Sequence, residues 1–177
     1  MTTHEDILKE YSRLMDYCDS FWKRAVLRFP DQFACAAGCG ICCTLSSVNH
    51  LEAAFLMNYV RRNQLRLPTR VSGSTATETV VSCPFLVDDR CAVYPARPLI
   101  CRTHGLPLKN MEFVQRVMPS CPFNFPTMEI MEIDEVFALD IELISMNLAR
   151  LNAAWCMVSG LEQSTMERVP LSKLVTK

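Results

Sequence analysis

Cys35-Ala36-Ala37-Gly38-Cys39-Gly40-Ile41-Cys42-Cys43 places four thiols within nine residues, spaced by small residues and two glycines. Wrapping a chain tightly round an ion, with several sulfurs turned inward, needs that composition, because glycine reaches backbone conformations closed to other residues. Four more cysteines follow at Cys83, Cys91, Cys101 and Cys121. The spacing predicts a fold that brings this second set to the first.

Two features favour a metal over mere thiols. Cys35-x3-Cys39-x2-Cys42 has the loop lengths of a chelating turn, and the later cysteines fall at extended-segment ends and proline-bounded turns. Cys42 and Cys43 are adjacent, so their side chains are expected to point differently, which suggests two neighbouring sites or one cysteine in a supporting role. Eight thiols could supply two tetrahedral sites, or one cluster plus further thiols, and the spacing leaves both open. The candidate ligands are Cys35, Cys39, Cys42, Cys43, Cys83, Cys91, Cys101 and Cys121. A zinc ion held by four thiolates keeps a net charge of about −2, which calls for nearby donors. Arg97 and Arg102 are the candidates for that supporting shell, since a guanidinium is a fixed fork of donors that stays charged.

The composition narrows the classes. The chain has 177 residues, half of them hydrophobic, and a formal net charge of −1. This is enough for one domain with a real core, and the balance offers no bulk electrostatic case for nucleic-acid binding. No apolar run approaches the ~18 residues of a membrane span. Met1-Thr2-Thr3-His4-Glu5-Asp6 lacks the basic and apolar regions of a secretory signal. The expected address is therefore cytoplasmic, where metal or redox use of cysteine is favoured over structural disulfides.

In chain order, a long amphipathic helix is expected from Glu5 to Phe29. It is capped by Thr3, stopped by Pro30, and carries Cys18 on its apolar stripe. Asn49 followed by Glu52 has capping-box spacing and starts a helix over about 50–65. Arg61, Arg62, Arg66 and Arg70 near its end suit the helix dipole. Residues 68–75 read as a surface loop and 78–82 as a short strand. Asp88-Asp89-Arg90 makes the turn of a small hairpin ending at Cys91. Short strands are expected at 112–118 and 128–133. Asp134 should then cap a second long helix to about Ser159, with Gly160 as its stop and Cys156 as a packing residue. The tail, 162–177, is polar and weakly patterned and reads as a flexible end. The fold class is α-rich (α+β): long N- and C-terminal helices around a small irregular cysteine-rich metal core with short strands, in a single domain whose metal core spans 35–121.

The cysteine loop, Cys83-Pro84-Phe85-Leu86, and Cys91-Ala92-Val93-Tyr94-Pro95-Ala96-Arg97-Pro98-Leu99-Ile100-Cys101-Arg102 together resemble the bacterial cysteine-cluster proteins of the YkgJ type. These are described as zinc- or iron-chelating domains with a CxxCxxCC signature. The resemblance covers about residues 35–121 and takes in Glu52. This chain departs from the signature in the three-residue gap between Cys35 and Cys39. The resemblance implies chelation of zinc or iron, mononuclear or as an iron–sulfur cluster, with a structural or redox role. Flagellin lysine methylases carry a similar cysteine cluster, so one alternative is a metal- or cluster-dependent enzyme related to protein lysine methylation. No glycine-rich nucleotide loop supports it. The Cys-x3-Cys-x2-Cys spacing also matches radical S-adenosylmethionine enzymes, but the long barrel they require does not follow. The other alternative is a metal-stabilised interaction module whose long helices bind a protein partner, favoured by the apolar breadth of the last one.

Overall fold

A computed structural model describes residues 2–67, 82–109, 117–118, 121–129 and 132–175. The protein is mostly helical with several short strands in open sheets, matching the α-rich expectation. The chain divides into two compact units: Met1–Ala36 with Leu99–Leu151, and Ala37–Pro98 with Asn152–Lys177.

The first unit is led by helix α1, His4–Arg28. Thr3 caps it as expected. Its hydroxyl accepts from the Asp6 N–H, and the Asp6 carboxylate accepts from the Thr3 N–H at 3.0 Å, a closed capping box. Ile7, Tyr11, Met15, Cys18, Phe21 and Ala25 recur every three or four residues and are buried, which is the apolar stripe read from the sequence. The short helix α3, Leu99–Thr103, packs along α1. A three-stranded sheet has the order β5-β4-β6, from Val117–Met118, Leu108–Lys109 and Leu139–Asp140. Beyond α1, Phe29, Phe33, Phe125 and Phe137 stack edge to face with ring centroids 5.1 to 5.8 Å apart. Such contacts add about 0.5–1.5 kcal/mol per pair to burial.

The second unit is built on helix α2, His50–Arg62, capped by Asn49, whose side chain accepts from the Glu52 N–H at 2.8 Å. Ala53, Leu56 and Val60 of α2 share a core with Phe85, Val93, Ala96, Leu171 and Val175. The hairpin β2–β3, Leu86–Val87 with Arg90–Cys91, is present as read. Asp88 and Asp89 both have positive φ, 48° and 57°, the primed turn that matches strand twist. Ser47–Val48 (β1) pairs antiparallel with Val169–Pro170 (β7), and helix α5, Leu171–Val175, follows.

Several expectations change. Asp134 caps only a 3-10 turn, Glu135–Phe137. The chain then becomes β6, because the Leu139 N–H donates to the Pro107 carbonyl at 2.9 Å and Leu139 is wholly buried. Helix α4, Ile141–Val158, restarts with Asp140 accepting from the Leu143 N–H. Of the strand expected at 128–133, the described residues form none: Met128 and Ile133 are bends, Glu129 is irregular and Glu132 is 3-10, and Ile133 is buried in the phenylalanine cluster. Helix α2 stops at Arg62, where Gln64 adopts φ 49°. The tail read as polar contributes β7 and the buried Leu171 and Val175. The loop at 68–75 and most of the run at 78–82 lie outside the described residues, as does most of the strand at 112–118, though Val117–Met118 are strand.

Candidate metal centre

The cysteine loop gains its shape from its glycines. Gly38 has φ +94°, a conformation that a side chain resists. At Gly40 a Cβ would lie 3.3 Å from Leu86 Cδ2, so the bare backbone lets the loop lie against the hairpin strand. The Cys43 N–H donates to the Gly40 carbonyl at 2.9 Å, closing a turn over Ile41 and Cys42. The Cys83 N–H donates to the Cys43 carbonyl at 2.7 Å, tying the loop to the segment that enters the hairpin. Cys83 and Cys91 pack at the edge of the α2 core. That core fixes their backbones, so the loop meets a rigid support.

Neighbouring thiols bear on Cys42 and Cys43. Burial pushes the Cys43 thiol up, and the Cys83 and Cys91 thiols beside it add to the shift. Burial and the neighbouring Cys43 raise Cys42 in the same way. Like charges gathered in one place oppose ionisation, and a cation placed among them reverses that cost. Cys42 and Cys43 lie near enough to affect each other's ionisation.

Arg97 follows on the same segment. Its guanidinium stacks over the Tyr94 ring at 4.1 Å and donates to the Tyr94 carbonyl at 3.0 Å. Burial raises the Cys91 thiol, and the Arg97 charge partly offsets it.

Cys35, Cys101 and Cys121 belong to the first unit. Cys101 sits half-buried on α3, and Cys121 is buried. Cys35 lies in a polar cradle made by Asn124. The Asn124 side-chain oxygen accepts from the Ala34 N–H at 3.0 Å, and its amide nitrogen donates to the Gly105 carbonyl at 2.7 Å. The same nitrogen is 3.7 Å from Cys35 Sγ. Gly105 has φ +94°, and a Cβ there would fall 2.7 Å from Asn124 Nδ2 and 3.3 Å from Cys35 Sγ. Arg102, buried at 4 % exposure, forms an ion pair with Asp19 of α1, beside the buried Cys18. His104 follows α3, with burial pushing its imidazole down.

Asn124 and Asp19 were not singled out in the sequence. Asp19 carried one weak signal, an acid flanking the apolar stripe of α1, and Asn124 carried none.

Among the described residues, no group of three or more His, Cys, Asp or Glu side chains forms a ready coordination shell. The donor chemistry nonetheless fits a thiophilic ion. Sulfur donors select zinc, copper(I) and iron–sulfur clusters over hard cations, and the mutual repulsion of Cys42 and Cys43 with their neighbours is what a cation relieves. Among the described residues, no helix is long and apolar enough to cross a membrane.

The CxxCxxCC family model, whose description reads "Putative zinc- or iron-chelating domain", matches residues 34–122. No curated protein matches the chain, and no solved structure does.

Proposed function

We propose, because the chain belongs to the CxxCxxCC family of metal-binding domains, that its clustered thiolates hold zinc or iron in the cytoplasm, in a structural role or a redox one. The single observation that carries this reading is the contact between the two cysteine segments, where the Cys83 N–H donates to the Cys43 carbonyl at 2.7 Å. Thiols distant in sequence thereby lie beside Cys43 and push its pKa up, a cost that coordination converts into binding energy.

Cys39, Cys42, Cys43, Cys83 and Cys91 are the donors of the second unit. Cys35, Cys101 and Cys121 are the candidates of the first. Arg97 supports the site as a fixed cation beside Cys91, whereas Arg102 has a partner in Asp19. When bound, zinc would supply a charge-neutralising crosslink, and iron would add one-electron chemistry. The chain's own contribution is to hold the loop against the hairpin edge and to shield Cys43 and Cys91 partly from water.

Purification without oxygen, then metal analysis and an absorption spectrum, tests the reading. At least about one zinc or iron per chain is expected, with thiolate-to-iron or sulfide charge-transfer bands if the metal is iron. Less than one metal of either kind per chain overturns it.

A further inference from the structure

We infer that Cys43 and Cys83 form a disulfide when the protein meets a peroxide, and that this bond expels the metal. The crosslink follows from the geometry of the two residues, and only its consequence for the metal rests on the function proposed above.

The Cys83 N–H donates to the Cys43 carbonyl at 2.7 Å. By ordinary bond lengths, one backbone bond of this length holds the two Cα atoms within about 6.5 Å of each other. A disulfide spans Cα separations of about 4.4–6.8 Å, so the pair can close without moving either backbone far. Both residues are half-buried and neither is in a disulfide. The neighbouring pair Cys42–Cys43 is the obvious competitor, but bridging adjacent residues closes a small ring that distorts the planar peptide between them. Cys43–Cys83 avoids that distortion.

The chemistry balances in two steps. One thiolate attacks a peroxide oxygen, the O–O bond breaks, and a sulfenic acid and one water (or alcohol) result. The second thiol then attacks the sulfenic sulfur, forming the S–S bond and releasing water. Two electrons leave the sulfurs for the peroxide, and two thiol protons end in the released products. A sulfur in a disulfide is no longer an anionic donor, so the ion loses two of its ligands.

Full-length protein, metal-loaded and metal-free, is treated with hydrogen peroxide, digested without reduction and mapped by mass spectrometry. A crosslinked Cys43–Cys83 peptide two hydrogens lighter is expected in both samples, reversed by dithiothreitol and absent in Cys83→Ser. In the loaded sample, metal release is expected to track the crosslink one to one. Cys18→Ala is expected to crosslink as the unaltered chain does. Crosslinks at Cys42–Cys43 or Cys43–Cys91 instead, sulfinic acid without a crosslink, or a crosslink with metal retained would each overturn the inference. A chain that takes up no metal yet forms the crosslink defeats the proposed function but not the pairing, so the two failures are distinguishable.

Discussion

Gly105 and Asn124 show how one backbone position can govern a polar cradle. Replacing Gly105 with alanine asks a side chain to adopt φ +94° and drives its methyl to 2.7 Å from the Asn124 amide. We expect Gly105→Ala to cost about 2–4 kcal/mol, from left-handed strain and a displaced hydrogen bond together. Urea unfolding measures it, and a loss under half a kcal/mol would show that the cradle relaxes freely. Cys18 offers a second residue-scale test. Burial, and then the neighbouring Asp19, push its thiol up to about 11. A folded pKa above the unfolded one means that the contribution to stability is full below about pH 9 and is lost as pH rises towards 11. Two units correspond to about 2.7 kcal/mol. The stability of the unaltered chain should therefore fall by roughly that much more than the stability of Cys18→Ala between pH 9 and 11. Parallel pH profiles would mean that the thiol ionises without unfolding.

At the scale of elements, the helix ends respond to single residues. Helix α4 ends with Gly160 at φ +69°. The Leu161 N–H returns to the Cys156 carbonyl and the Gly160 N–H to that of Met157, the double bond of a glycine-terminated helix. Helix α2 ends the same way, with the Leu65 N–H donating to Val60 and the Gln64 N–H to Arg61, but with glutamine in the left-handed position. The substitutions should therefore have opposite signs. Gly160→Ala is expected to destabilise by about 1 kcal/mol, and Gln64→Gly to stabilise by up to about 1 kcal/mol. No atom lies within 4 Å of a Cβ built at Gly160, so the first value measures conformation without a clash. Thermal unfolding of the two variants checks the sign.

For the whole molecule, metal binding and folding should be one equilibrium. Cys42→Ser or Cys101→Ser is expected to lower metal content and unfolding free energy together, because the binding energy of a structural metal is folding energy. Cys18→Ser should leave metal content unchanged, since Cys18 lies on the buried stripe of α1. The raised thiols Cys42, Cys43 and Cys91 are protonated at neutral pH without metal. Loading at pH 7 should then release about one proton per coordinated thiol, and affinity should fall as pH falls. Calorimetry in buffers of different ionisation enthalpy counts those protons. A count near zero would mean that the thiols do not coordinate.

Much of this was legible from the sequence because the interactions that form it are local. The Thr3 cap, the stripe of α1, the Asn49 cap and the Asp88-Asp89 turn each depend on residues a few positions apart, and each forms where the sequence places it. The cysteine spacing likewise determined the family. Tertiary structure decided what depends on distant partners. The pull of Pro107 on Leu139 turned the start of a long helix into a strand. Asp19 claimed Arg102 across 83 positions of sequence, and Asn124 reached Ala34 across 90. The loop Cys35–Cys43, which reads as one chelating turn, is divided so that Cys35 belongs to the first unit and Cys39, Cys42 and Cys43 to the second. Spacing along a chain records what can meet within a turn. Which thiols share a core, and which backbone lies a hydrogen bond from Cys43, is settled by burying apolar surface contributed from far along the chain.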